Sequence, residues 1–357
     1  MKRDPIPRIR IVDIAGLAGV SAGTVDRVLH NRGEVSPKTR EKVMDIIKEL
    51  NYEPDILASA LAAKKTFRIA ALLPYGTDQI PFWKYPVAGI EEGLLEIMHF
   101  GVSLERYYFD FFDRDSFLRQ SSEILNDDMQ GVIMASVFTS EAEDFLERCN
   151  ERNIPVVLIN ANICSGSCVA FVGQDSLQSG MVAARLMKYG SGSDGEILII
   201  NFIRDEGNQD HILKREEGFR KYYGELKTGT PVLRQLNIVE TAGLDGREIL
   251  RDAILSPGTR VKGIFVTNSR VFRVARFLEE NNAGDIILIG YDLLDENKHF
   301  LKNSTIDFLI SQKPREQGYK SIMTLYHHLV LKKNVERNQY LPIDIITKEN
   351  LEHYSSE

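Results

Sequence analysis

Arg27 falls on the exposed side of a short predicted helix together with Ala22, Gly23, Asp26 and His30, while Val20, Val25 and Val28 or Leu29 supply the buried side. A guanidinium one turn into such a helix can pair in bidentate fashion with guanine in the major groove of duplex DNA. Ala22 and Gly23, nearly free of side chain, offer at most a methyl contact to thymine or close approach. Asp26 can accept from a cytosine amino group or orient Arg27; solvation of the helix is an equal alternative. The hydroxyls of Ser21, Thr24, Ser36 and Thr39, with nearby backbone amides, suit phosphate oxygens, contacts that fix register without reading bases.

The elements that would position these groups are legible locally. Residues 12–31, VDIAGLAGVSAGTVDRVLHN, read as two short helices joined by a tight turn, the unit that sets a recognition helix in the major groove. Ala15 lets the helices approach, Gly19 suits the turn and Ser21 caps the second helix. VSPKTREKVMDIIKELNY continues as a third helix, with Ser36 as cap, Pro37 at the first helical position, and Val43, Ile46, Ile47 and Leu50 on one side. After Pro54 comes DILASALAAKK, too short to be a stable isolated helix. Residues 1–65 carry 12 Lys and Arg against 9 Asp and Glu, a balance of +3, and the remainder carries −10. A small basic module therefore precedes a large acidic body.

Residues 9–65 resemble the DNA-binding headpiece and hinge helix of the lactose/galactose repressor (LacI/GalR) family. The resemblance implies that Ala22 and Gly23 occupy the main specificity positions, and that Asp26 stands where serine is usual. It also implies a homodimer on a nearly palindromic double-stranded operator, with Leu61 of each subunit wedged into the minor groove at its centre and Ala58, Ala60 and Ala62 allowing the paired hinge helices to pack.

From Phe67 onward β-rich runs alternate with amphipathic segments. Predicted strands are RIAALLP, VSLERYYF, GVIMAS, IPVVLIN, VAFVG, EILIINF, LRQLNIVE, KGIFVTN, IILIGYD, TIDFLIS and PIDIITK. Helical stretches include 85–99, 115–128, 141–152, 176–189, 211–225, 270–282 and 314–332. These are βα units with parallel sheets covered on both faces. The family resemblance implies two lobes joined by three crossovers. The expected fold is a small all-α helix-turn-helix domain followed by a two-lobed α/β domain of the type I periplasmic-binding-protein-like class. The expected divisions are a headpiece at 1–54, a hinge at 55–65 and an effector-binding and dimerisation domain at 66–357. Within that domain lobe one is about 66–173 and 312–338, and lobe two about 174–311 and 339–357.

Ligands of open α/β sheets bind beyond the carboxyl ends of the strands. Phe82 and Trp83, after the first strand, could stack on a sugar ring or simply pack their loop. Asn160 and Asp175 follow later strands, and Asp175 could do no more than cap the next helix. Asn268 and Asp292 end two further strands, positions where turn formers are common. Arg215, in R-x-x-G-F, resembles the family's effector-binding arginine, and Gln312 fits its last site. Asn160 stands where simple-sugar binders of the family often carry aspartate, and Ser269 where an acidic residue often follows the asparagine. A neutral glycan unit, a sugar acid or a modified sugar all stay open as effectors.

The 357 residues, 43% hydrophobic and 27% charged with a net charge of −7, suit a globular protein of two or three domains. No apolar run approaches the roughly 20 residues of a membrane span, and no signal-peptide pattern opens the chain, so a cytoplasmic location without membrane partners is expected. Cys149, Cys164 and Cys168 make disulfide stapling unlikely on compartment grounds; CSGSC reads as a surface loop with free thiols, or less readily as half a metal site. No cofactor is expected. An enzyme is disfavoured, since no phosphate-cradling glycine loop, nucleophile elbow or metal-binding HExxH occurs. A solute-binding protein for uptake would leave residues 1–65 without a use. The expected function is a DNA-binding regulator, in the repressor sense, controlled by a small carbohydrate-type effector between the lobes; an activator or dual regulator would share the architecture.

Overall fold

A computed structural model describes residues 9–29, 33, 35–50, 52, 66–77, 80–163, 166, 168–192, 195–203, 210–226, 229–239 and 246–354. The chain divides into two compact units, Met1–Ala62 and Ala63–Glu357. His30, Leu61, Cys164 and the segment 53–65, which contains the expected hinge helix, lie outside the described residues.

In the first unit helices α1 (Ile11–Ala18), α2 (Ala22–Leu29) and α3 (Pro37–Glu49) surround one apolar cluster. Ile14, Ala15, Ala18, Val25, Val28 and Val43 are its buried members, with Ile46, Ile47 and Leu50 packed against it. Gly19 closes α1 in the left-handed region at φ 68°, a conformation that glycine adopts without steric cost, and Val20 N–H donates to Ala15 O across the turn.

The second unit holds two six-stranded sheets. In the first, β1 (Phe67–Pro74), β2 (Val102–Phe109), β3 (Gly131–Ala135), β4 (Val156–Ile159), β5 (Ala170–Gly173) and β11 (Asn338–Tyr340) lie in the order β11-β5-β4-β3-β1-β2, all neighbours parallel. In the second, β6 (Glu196–Ile203), β7 (Val232–Val239), β8 (Val261–Val266), β9 (Ile287–Tyr291), β10 (Phe308–Ser311) and β12 (Asp344–Ile346) lie in the order β12-β10-β9-β8-β6-β7. Only β12 runs antiparallel to its neighbour there. The chain passes between sheets after β5, β10 and β11. The three residues of β11 carry no apolar alternation, which is why sequence reading found no strand there and began lobe two at residue 339.

Helices α4 (Lys84–Ile97), α5 (Arg114–Asn126), α6 (Thr139–Glu151) and α12 (Pro314–Leu329) belong with the first sheet. Helices α7 (Ser176–Ser191), α8 (Asp210–Gly224), α9 (Arg247–Leu255), α10 (Val271–Glu280) and α11 (Asp295–Lys302) belong with the second. Each lobe contains one helix pair joined by reciprocal glycines. A Cβ on Gly89 of α4 would lie 1.8 Å from Arg315 O, and one on Gly318 of α12 2.0 Å from Pro86 O. In lobe two Gly180 of α7 and Gly218 of α8 are each positioned 2.0 Å from the carbonyls of Arg215 and Leu177 by the same measure. Helix backbones thus touch directly, which fixes the axial position of one helix on the other.

Cys168, buried before β5, is disulfide-bonded, and Cys149 is a buried free thiol. This corrects the expectation of free thiols at Cys168: compartment says nothing of local geometry, and geometry decides whether two sulfurs can meet.

Candidate functional site

On the headpiece Ser21, Ala22, Gly23 and Arg27 are exposed on one side of α2, while Thr24 and Asp26 are half-buried. Ser21 Oγ accepts from Thr24 N–H at 3.2 Å and lies 2.9 Å from Thr24 Oγ1, so the cap occupies both hydroxyls. Ser36 and Thr39 repeat the arrangement at the start of α3, with Thr39 N–H donating to Ser36 Oγ at 3.2 Å. Arg27 folds back on its own helix, Nε donating to Gly23 O at 3.2 Å and Nη2 to Thr24 Oγ1 at 3.5 Å. These are long, exposed hydrogen bonds, the kind that a base edge can replace at little cost.

The body carries a cleft bounded by Phe82, Trp83, Ser136 and Asn160 of lobe one and by Phe202, Arg215, Asn268 and Phe272 of lobe two, with Gln312 on a crossover. It encloses about 890 Å³ of atom-free space, open mouth included. Its walls follow the carboxyl ends of parallel strands in both lobes, as the switch-point rule requires.

Arg215 is the centre of the lobe-two wall and only 1% exposed. Its Nη1 donates to Thr267 O at 2.7 Å, its Nη2 donates to Gln312 Oε1, and its Cζ stands 3.9 Å above the Tyr291 ring. Tyr291 OH in turn lies 2.8 Å from Ser179 Oγ. Burial pulls the guanidinium's pKa below its ordinary value, with Tyr291 and Asp292 pushing it back up. Burial likewise raises the Tyr291 phenol. The R-x-x-G-F spacing now has a mechanical reason. Gly218, one turn after Arg215, brings α8 against α7, and Phe219 stacks on Phe265 with ring centroids 4.7 Å apart.

Three buried amides hold the rest. Gln312 receives Asp292: its N–H donates to Oδ1 at 3.2 Å and its Nε2 to Oδ2 at 2.6 Å. Gln317 Nε2 donates to Gln312 O at 2.8 Å, while its Oε1 accepts from Asn160 N–H at 3.0 Å, tying a lobe-one strand end to the crossover. Asn297 Nδ2 lies 3.0 Å from the carbonyls of Ser269, Tyr291 and Asp292, and its Oδ1 accepts from Phe272 N–H at 3.0 Å. One side chain therefore sets both strand-end loops of the lobe-two wall.

Six of the eight residues proposed from sequence, Phe82, Trp83, Asn160, Arg215, Asn268 and Gln312, meet at this cleft. Phe82 and Trp83 are buried and pack edge to face at 5.1 Å. Asn268 spends its amide on Phe202 O at 2.9 Å and its oxygen on Arg270 N–H at 3.2 Å. Asp175 and Asp292 are not part of the wall. Asp175 caps α7 through Gln178 N–H at 3.0 Å, and Asp292 stands behind Gln312. Sequence reading missed Phe111, Ser136, Phe202, His211, Arg270 and Phe272. Position gave their signal: each lies at or just beyond a strand's carboxyl end, or at the start of the helix that follows.

Among the described residues no group of His, Cys, Asp and Glu could hold a metal ion, and no helix is long and apolar enough to cross a membrane. Residues 10–55 match the family "Bacterial regulatory proteins, lacI family", and residues 69–333 match "Periplasmic binding protein domain". The chain is 27% identical to the HTH-type transcriptional regulator RegA of Clostridium saccharobutylicum over 95% of this chain and 98% of that one. It is 27% identical to the ribose operon repressor of Bacillus subtilis over 79% and 81% of the two chains. A crystal structure of a putative LacI transcriptional regulator from Bacteroides fragilis superposes with a TM-score of 0.76 at 33% identity, covering 81% of this chain and all of that one. With a three-helix headpiece of that description and a two-lobed binding domain behind it, the chain belongs to the LacI family of bacterial DNA-binding transcriptional regulators.

Proposed function

We propose that the protein is a repressor that binds a nearly palindromic operator as a homodimer and is controlled by a small carbohydrate-type effector in the cleft between the lobes. The observation that carries the effector reading is Arg215, a guanidinium buried in the cleft wall and opposed by the aromatic side chains of Phe82 and Trp83. Aromatic faces suit the apolar side of a sugar ring, and a planar donor fork suits its oxygens. The repressor reading draws on the likeness to the ribose operon repressor. Gln312 and Gln317 give a route for control, because they link Asn160 of one lobe to Arg215 of the other through a crossover. A ligand that binds one lobe arrangement more tightly than the other would shift the population of the DNA-competent state.

Thermal shift of the full chain against a panel of sugars and sugar acids tests the effector. A ligand at 100 times its Kd stabilises the native state by about 2.7 kcal/mol, and a panel without any such rise would count against an effector of this class. For the DNA end, site selection from random duplexes is expected to return an inverted repeat. On the selected duplex Arg27→Ala is expected to cost about 1–3 kcal/mol and to relax preference at one position of each half-site. Equal losses on selected and bulk DNA in the same titration would reassign Arg27 to phosphate contact.

A further inference from the structure

After Glu196 at its start, β6 carries a single polar residue, Asn201, which is only 1% exposed. Strand alternation puts Asn201 on the face of Ile197 and Ile199, which pack with Phe219 and Tyr223 of α8. A carboxamide buried in such a place is costly unless its hydrogen bonds are made. Three partners make them. Asn201 Nδ2 donates to Glu216 Oε2 of α8 at 2.8 Å and to Asn237 Oδ1 of β7 at 3.0 Å, and Asn201 Oδ1 accepts from Thr267 Oγ1 at 2.8 Å.

Two of these partners are the supports of Arg215. Glu216 follows Arg215 in α8, and its other oxygen accepts from Arg220 Nε at 2.8 Å, so one carboxylate ties the helix to the sheet. Thr267, just after β8, gives its carbonyl to Arg215 Nη1 at 2.7 Å, and its hydroxyl bond to Asn201 holds the residue that carries that carbonyl. The residue after Asn201, Phe202, lines the cleft, and its carbonyl accepts from Asn268 Nδ2 at 2.9 Å. The glycine contacts set α8 along α7, whereas Asn201 sets it on the sheet. A guanidinium is a planar fork with directional donors, so a tilt of α8 or a turn of Thr267 misdirects it.

We propose that Asn201, standing behind the cleft wall, is a positioning residue for effector recognition: it orients Arg215 through Glu216 on one side and Thr267 on the other. The proposal rests on the reading of the cleft as an effector site.

The test exchanges donor and acceptor within the Asn201–Glu216 pair of the full-length protein. Asn201→Asp still accepts from Thr267 but sets two carboxylates against each other; adding Glu216→Gln restores a donor–acceptor pair with its polarity reversed and the total charge kept. The first readout is the nitrogen-15 signal of the Arg215 Nε–H, assigned by its loss in Arg215→Met. The second is the affinity for ribose, arabinose, glucose and galactose, followed by the fluorescence of Trp83, the sole tryptophan and part of the cleft wall. In Asn201→Asp the Arg215 signal is expected to shift or broaden and affinity to fall about tenfold, and the double variant is expected to recover both. Rescue by a reversed pair is not expected of a residue that merely fills the core. A signal and an affinity unchanged in Asn201→Asp would overturn the proposal, and so would losses that the second change fails to reverse. Should Asn201→Asp fail to fold, Thr267→Val, which removes the hydroxyl and keeps the carbonyl, is expected to move the same signal, and an unmoved signal would overturn the proposal. If the parent bound none of the four sugars, that would count against the effector reading, and the Arg215 signal would still decide whether Asn201 holds that side chain.

Discussion

Gly180→Ala is expected to be among the most damaging single-methyl changes in the protein. The added Cβ would lie 2.0 Å from Arg215 O, 2.8 Å from Arg215 C and 2.9 Å from Arg215 Cα. All three atoms are backbone, in the middle of α8, so no rotamer change relieves the clash. The helices must separate, and overpacking of this kind costs about 3 kcal/mol. For a unit as long as Ala63–Glu357, with an unfolding entropy of about 2.1 cal/mol/K per residue, that corresponds to a fall of roughly 5 °C in melting temperature. The loss is also directional. Moving α8 away from α7 carries Arg215 off the Tyr291 ring and out of reach of Thr267 O, contacts made at 3.9 Å and 2.7 Å. Ligand-induced stabilisation is therefore expected to disappear even below the new melting temperature. Gly224→Ala at the end of α8, where nothing lies within 4 Å of the added Cβ, is the control: alanine is the better helix former there, by less than about 1 kcal/mol. A Gly180→Ala protein that melts with the parent would show that the two helices do not meet by backbone contact.

What sequence could and could not reach follows from the range over which each signal acts. The headpiece was legible because Gly19, Ser21, Ser36 and Pro37 act within one turn of chain, and the structure uses Gly19 and Ser36 in the roles their chemistry suggests. The strands of the body were legible as apolar runs for the same reason. Arg215 could be found because Gly218 and Phe219 mark it, each needed for close helix packing and core stacking. Phe202, Phe111 and Ser136 are marked only by lying at or just beyond a strand's carboxyl end. They reach the cleft only because the strand order β3-β1-β2 and β8-β6-β7 aligns strand ends that are far apart in the chain. Helix α11 was missed because DENKHFLK is too short and polar for a periodic signal, and its packing rests on Asn297, Phe300 and Leu301. Asp175 and Asp292 illustrate the opposite limit: a carboxylate at a strand end looks alike in sequence whether it meets a ligand, a helix N–H or a glutamine.

Asn297 gives the second large effect, because its whole hydrogen-bonding capacity is spent on the backbone of two strand-end loops. The side chain is 0% exposed; its amide nitrogen serves the carbonyls of Ser269, Tyr291 and Asp292, and its oxygen serves Phe272 N–H. Asn297→Leu keeps the forked heavy-atom shape and removes every polar atom, leaving backbone groups unpaired at about 1–3 kcal/mol each, for a loss of about 4 kcal/mol in all. The loop 268–272 and the turn at Asp292 lose their common anchor, so effector binding is expected to fall with stability. Asn297→Asp separates hydrogen bonding from shape. A carboxylate can still accept from Phe272 N–H, but ionised it faces three carbonyl oxygens with no proton to offer, so the folded state holds that group protonated and its pKa rises above the unfolded value. Stability that depends on a raised carboxylate pKa is present below the unfolded pKa and is lost as pH rises toward the folded one. The Asp variant is therefore expected to melt lower than the Leu variant near about pH 7 and to recover relative to it on acidification to about pH 5, while the Leu variant follows the pH profile of the parent. Melting curves of the three proteins at both pH values decide it: an Asp variant whose deficit does not change with pH would mean that the three carbonyls are not held by this side chain.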